Sequence, residues 1–117
     1  MTVVLPSGDI PPWDKLFVVT RVDLGSGHQA AQSLHAGLEF AREHPAECSA
    51  WQARSNTVAV LAVEDERALA RLAARALDSG VVATRWCEPA RGGELTAVAL
   101  GPGRSSQRLC RGLALAG

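Results

Sequence analysis

Two histidines, an amide and a carboxylate at positions 28, 32, 35 and 39 are the residues of this sequence best spaced to act together. Projected at ~100° per residue, His28, Gln32, His35 and Glu39 fall in a single helical stripe about 60° wide. An imidazole can take a proton from water near neutral pH, and a nearby carboxylate can set its tautomer and steady its cation. Glu88, held extended by Pro89, and Thr96, flanked by apolar residues, are further polar groups that the fold can bring to the same place. Solvated helix faces are usually tenanted by lysine and glutamate, so the composition of this stripe is its informative feature. A metal is not expected there. His28 and His35 lie seven residues, hence ~10 Å, apart along a helix axis, too far to share one tetrahedral ion. Cys48, Cys87 and Cys110 have no metal-type spacing and read as buried or incidental thiols.

The elements that must position these groups can be read in order. Lys15 to Val22 is an apolar, β-branched run that suits a strand buried on both faces. Gly25-Ser26-Gly27 makes a turn, and a helix is predicted from about His28 to Arg42, stopped by Pro45. Its residues Ala30, Ala31, Leu34, Leu38 and Ala41 share an apolar face that is expected to pack on the sheet, leaving the histidine stripe along one edge. A short helix over 46–54 carries Trp51, and a second buried strand covers 58–63. Glu64-Asp65-Glu66 opens an amphipathic helix with Leu69, Leu72, Ala73, Ala76 and Leu77 on one side and Gly80 as its stop. A third strand over 81–87, a turn at Arg91-Gly92-Gly93, a fourth strand over 94–100 and a last helix capped by Ser105 complete the chain. This order predicts an α/β fold, a three-layer α/β/α sandwich with a mixed four-stranded sheet. Residues 1–14 read as an irregular N-terminal arm and 15–117 as a single domain.

The turn also fits the loose dinucleotide fingerprint GxGxxA. Two features speak against that use: Arg21 and Asp23 separate the apolar strand from the first glycine, and no acid closes a second strand about twenty residues on. Free N–H groups at such a helix start can nevertheless hold an oxyanion or a phosphate.

Twelve basic residues balance twelve acidic ones, so the net charge is zero. That argues against wrapping DNA or a long RNA, whose phosphates reward a basic protein. It allows a short contact with an RNA end through a local patch such as Arg21, Arg85, Arg91 and Arg104. No run of eighteen apolar residues and no signal-peptide pattern occurs, so no membrane partner and a cytoplasmic location are expected.

The pattern Val18-Val19-x-Arg21-x-Asp23-Leu24, then Gly27-x-x-Ala30-Ala31-Gln32-x-x-His35-Ala36, then Thr96-Ala97-Val98-Ala99-Leu100-Gly101-Pro102 resembles the type II peptidyl-tRNA hydrolases. The resemblance covers about residues 15–112, so that 15–117 reads as a domain of that type. The Glu88-Pro89 pair and the short loop after it are closer to the divergent hydrolase-domain branch of the family. The resemblance implies hydrolysis of the ester that joins a peptide or N-acyl-amino acid to the 3′ end of tRNA, without metal or organic cofactor, and often a homodimer. It implies a catalytic set of His35, His28, Glu88 and Thr96, with Arg21, Asp23, Gly27 and Gln32 binding substrate. His28 stands where the family carries lysine, and Glu88 where it carries aspartate. The alternative is a catalytically silent module of the same fold that binds a tRNA end or a protein partner.

Overall fold

The computed structural model describes residues 10–117. The expected arm therefore lies outside the described residues up to residue 9, and residues 10–14 carry no helix or strand. From there the chain forms β1 (Leu16–Arg21), α1 (Ser26–Glu43), α2 (Pro45–Arg54), β2 (Val58–Val63), α3 (Glu66–Asp78), β3 (Ala83–Glu88), β4 (Glu94–Leu100), α4 (Arg104–Leu109) and β5 (Ala114–Leu115). The sheet order is β3-β4-β1-β2-β5. Only the central β1–β2 pair is parallel, and the other three pairs are antiparallel.

The architecture is the expected α/β sandwich with a mixed sheet, but the sheet has five strands rather than four. The added strand is two residues long, too short to show an alternating pattern, and its place is set by pairing of Ala114 with Ala62 and Leu115 with Leu61. One face of the sheet packs Leu16, Val18, Ala97 and Ala99 against Ala36 and Phe40 of α1 and Cys48 and Trp51 of α2. The other packs Phe17, Val19, Val98 and Leu100 against Leu69, Leu72, Ala73 and Ala76 of α3 and Cys110 after α4. α3 starts as its acids suggest, with the Asp65 carboxylate accepting from the Ala68 N–H at 2.9 Å. α4 does not use the expected Ser105 cap: its N-cap is Gly103, without a side-chain cap. The buried hydroxyl in that turn is that of Ser106, which donates to the Gly101 carbonyl at 2.6 Å.

The face of α1 that meets the sheet is not the one its hydrophobic spacing predicts. Gln29, Gln32, Ser33, Ala36 and Phe40 are buried, whereas Leu34 and Leu38 are 64% and 62% exposed. At ~100° per residue the helix is rolled by roughly 160° from the expected orientation. Burying glutamines is tolerable because their amides are satisfied. Gln29 Nε2 donates to the Leu24 carbonyl at 2.7 Å, and Gln32 is bonded at both ends of its amide. Phe40, fully enclosed, supplies the large apolar anchor of this face. The leucines instead line a groove of about 550 Å³ with Leu16, Val18, Val58 and Val60 on the β2 side of α1.

Candidate functional site

At the end of the sheet where β1, β2 and β3 finish and β4 begins, a buried chain of polar side chains runs outward to the surface. The Thr20 hydroxyl donates to the Thr96 carbonyl at 2.9 Å, inside the sheet. The Thr96 hydroxyl donates to Gln32 Oε1 at 2.7 Å. Gln32 Nε2 then donates to Glu88 Oε1 at 3.1 Å. Thr96 and Gln32 are buried, and Glu88 reaches the surface.

The local backbone explains why these three meet. Ala97 of β4 lies opposite Trp86, but Leu95 lies opposite Cys87, so Thr96 is an extra residue, a β-bulge. Regular alternation would place Thr96 on the α3 face beside Val98, since period-two strands put residues 96 and 98 on one side. The bulge turns its hydroxyl toward α1 instead. Glu88 is fixed by the turn behind it. Its second carboxylate oxygen accepts from the Ala90 N–H at 3.2 Å, within a 3-10 turn over Pro89–Arg91. The chain reverses through Gly92 and Gly93 at φ 67° and 84°, a backbone that side chains other than glycine rarely adopt. The Ala90 N–H, then the Gln32 amide, hold the Glu88 carboxyl below the usual carboxylate range, with a smaller contribution from His35.

His35 is exposed and lies flat on Trp86, ring centroids 4.7 Å apart and planes 12° from parallel. Trp86 and Glu88, two apart on one strand, share the face of β3 that looks toward α1. The imidazole is thus positioned by stacking, with neither ring nitrogen engaged by another described residue. His28 is exposed in the first turn of α1 and joins none of these contacts. Glu39, the fourth member of the sequence stripe, pairs with Arg42. Gly27 lies in that same first turn with open space beside its Cα. α1 begins without a side-chain cap and without an acid in its first turn, so among the described residues no side chain caps its leading N–H groups.

Arg21 is committed to the protein. Its guanidinium, 6% exposed, donates to both Asp23 oxygens at 2.9 and 2.8 Å, to Glu94 Oε1 at 2.8 Å and to the Leu95 carbonyl at 3.0 Å. These bonds raise the Arg21 pKa and hold the Asp23 and Glu94 carboxyls below the usual carboxylate range. Asp23 and Arg21 therefore brace the mouth of the site as an ion-pair clamp. Sequence reasoning did not single out Trp86, Thr20 or Glu94. The two-residue step from Trp86 to Glu88 was the available signal for Trp86, whereas nothing in the spacing marks the pairing of Glu94 with Arg21.

Among the described residues, no three His, Cys, Asp or Glu side chains are grouped to hold a metal ion, and no helix is long and apolar enough to cross a membrane.

Residues 15–109 match the family model described as Peptidyl-tRNA hydrolase PTH2. No curated protein matches the chain. Among solved structures, a protein of unknown function from Agrobacterium tumefaciens strain C58 is similar in fold. Its TM-score is 0.67 at 13% identity, over 88% of this chain and 97% of that one.

Proposed function

Since the chain belongs to the type II peptidyl-tRNA hydrolase family, we propose that it cleaves the ester of a peptidyl- or N-acyl-aminoacyl-tRNA at the site around His35. The observation that carries this reading is the Thr96–Gln32–Glu88 chain ending beside a histidine whose ring nitrogens are unengaged. His35 takes a proton from water as the water oxygen attacks the ester carbonyl carbon. The ionised Glu88, held in place by Gln32 and the Ala90 N–H, balances the imidazolium charge that forms. The uncapped N–H groups at the start of α1, about two helical turns from His35, are suited to a phosphate of the tRNA end rather than to the reacting carbonyl. Collapse breaks the bond between the carbonyl carbon and the ribose 3′ oxygen, and the imidazolium returns its proton to that oxygen. The products are the free acid and a tRNA with a 3′ hydroxyl.

In this reading Thr96 and Gln32 are positioning residues, and Arg21 with Asp23 shapes the site rather than gripping phosphate. His28, in the position of the family lysine, is placed to contact the tRNA end from the first turn of α1. The domain boundary at residue 15 and the cytoplasmic setting belong to the same proposal. The test is incubation with N-acetyl-aminoacyl-tRNA, with released N-acetyl-amino acid measured over time. Release that scales with protein concentration is expected. A complex that forms without release would instead identify a silent binding module.

A further inference from the structure

The basic residues of this neutral chain are sorted by layer. Those that belong to the β1 end and the α1–α2 layer are ion-paired: Arg21 with Asp23 and Glu94, Arg42 with Glu39, Arg54 with Asp14. Arg91 likewise lies 3.6 Å from Glu94. On the opposite layer, Arg67, Arg71 and Arg75 of α3 and Arg104, Arg108 and Arg111 of α4 and its end are exposed. None of these six has an ion-pair partner among the described residues. Arg85 joins them: it lies opposite Val98 in the β3–β4 ladder, and Val98 faces α3.

The placement follows from the helices. Leu69, Leu72, Ala73 and Ala76 turn one side of α3 to the sheet, which leaves positions 67, 71 and 75 in a row on the outer side. That row is ~12 Å long. The neighbouring acids are occupied or at its ends: Glu64 precedes the helix, Asp65 caps α3, Glu66 accepts from the Leu95 N–H at 2.8 Å, and Asp78 closes the helix. The bond from Glu66 also ties the first turn of α3 to the start of β4, next to Thr96. The arginine row therefore begins at the end of the sheet that holds the polar site and runs away from it across the far face.

We infer that the α3–α4 face binds the phosphate backbone of an RNA stem, holding the body of the RNA while its 3′ end crosses the sheet edge to the Gln32–Glu88 site. Guanidinium groups fit phosphate oxygens with paired hydrogen bonds, and eleven of the twelve basic side chains here are arginine. Unpaired arginines can release counterions from a backbone without first giving up a carboxylate. Naming the polyanion as RNA rests on the function proposed above; the charged face itself does not.

The experiment titrates a deacylated tRNA acceptor-stem hairpin ending in CCA against the full chain at several salt concentrations. It uses wild type, the triple variant Arg67→Gln/Arg71→Gln/Arg75→Gln, and a control with the same net charge, Ala46→Glu/Ser49→Glu/Ala53→Glu on the opposite layer. Folding is checked by thermal melting. The inference predicts that the α3 variant binds about tenfold or more weaker at low salt and that its log–log salt slope is smaller by roughly 2–3. The control should keep the wild-type slope. Equal affinity and slope in wild type and the α3 variant would overturn it, as would poly-glutamate binding as tightly as the hairpin. Because the hairpin carries no ester, arginine-dependent binding without any hydrolysis of acylated tRNA would support this inference and defeat only the proposed activity. Hydrolysis with an unchanged KM in the α3 variant would count against this face alone.

Discussion

At the scale of single residues, Gln32 is the hinge of the account. Its amide accepts from a fully buried hydroxyl and donates to a surface carboxylate, so it transmits the rigidity of the sheet to Glu88. Gln32→Leu removes both bonds and leaves the Thr96 hydroxyl only its long contact with the Trp86 carbonyl at 3.4 Å. A loss of about 1–3 kcal/mol in stability is expected, the penalty for a poorly satisfied buried group. The Glu88 carboxyl should rise toward its ordinary range, and kcat should fall more than KM rises. Chemical denaturation, carbon-detected titration and steady-state kinetics check the three parts. The Arg21 clamp carries a separate prediction. Arg21 lowers the Asp23 and Glu94 pKa values, so its stabilisation is complete at neutral pH and above the usual carboxylate range near 4. It is lost as pH falls through the lowered folded values. Both carboxylates are partly exposed, which keeps the effect modest. Asp23→Asn should be less stable than wild type at pH 7, with a shallower loss between pH 5 and pH 2 in urea titrations.

At the scale of elements, the instructive case is α1. The strand limits of β2 and β4, the break at Pro45 and the acidic start of α3 were all legible, because each rests on strong local chemistry: apolar runs, a missing N–H, a capping carboxylate. The orientation of α1 was not. Its apolar spacing pointed Leu34 and Leu38 inward, but two glutamines with completed hydrogen bonds and Phe40 form the packed face instead. No periodicity reveals that an amide will find its partner on a distant strand. The bulge at Thr96 was hidden for the same reason, since it appears only as a register shift between β3 and β4. The roll is what buries Gln32 against Thr96 of β4, whereas the Glu39–Arg42 pair is an i,i+3 contact within the helix. Leu34→Gln should change stability by less than about 0.5 kcal/mol, as for an ordinary surface position. Phe40→Ala should cost about 3–5 kcal/mol. The inverse result in thermal denaturation would restore the helix face that the spacing suggests.

At the scale of the whole molecule, a zero net charge conceals a division of labour between the two faces of the sheet. The layer of α1 and α2 pairs its arginines and carries the polar site, whereas the arginines of the α3 and α4 layer have no ion-pair partner among the described residues, Arg104 lying over the Trp13 ring and Arg108 bonding Ser105. Family membership came through in the sequence because the resemblance rests on local runs, around Gln32 and His35 and from Thr96 to Pro102, that lie within the matched residues 15–109. The charge division did not, because composition averages over faces that only the fold separates. The central claim is that His35 activates water for ester cleavage. The most direct test compares the release of N-acetyl-amino acid from N-acetyl-aminoacyl-tRNA by wild type and by His35→Ala under single-turnover conditions. Removing general-base help should slow release by about 10²–10⁴-fold, with hairpin binding retained. Release at the wild-type rate by the His35→Ala protein would contradict the account.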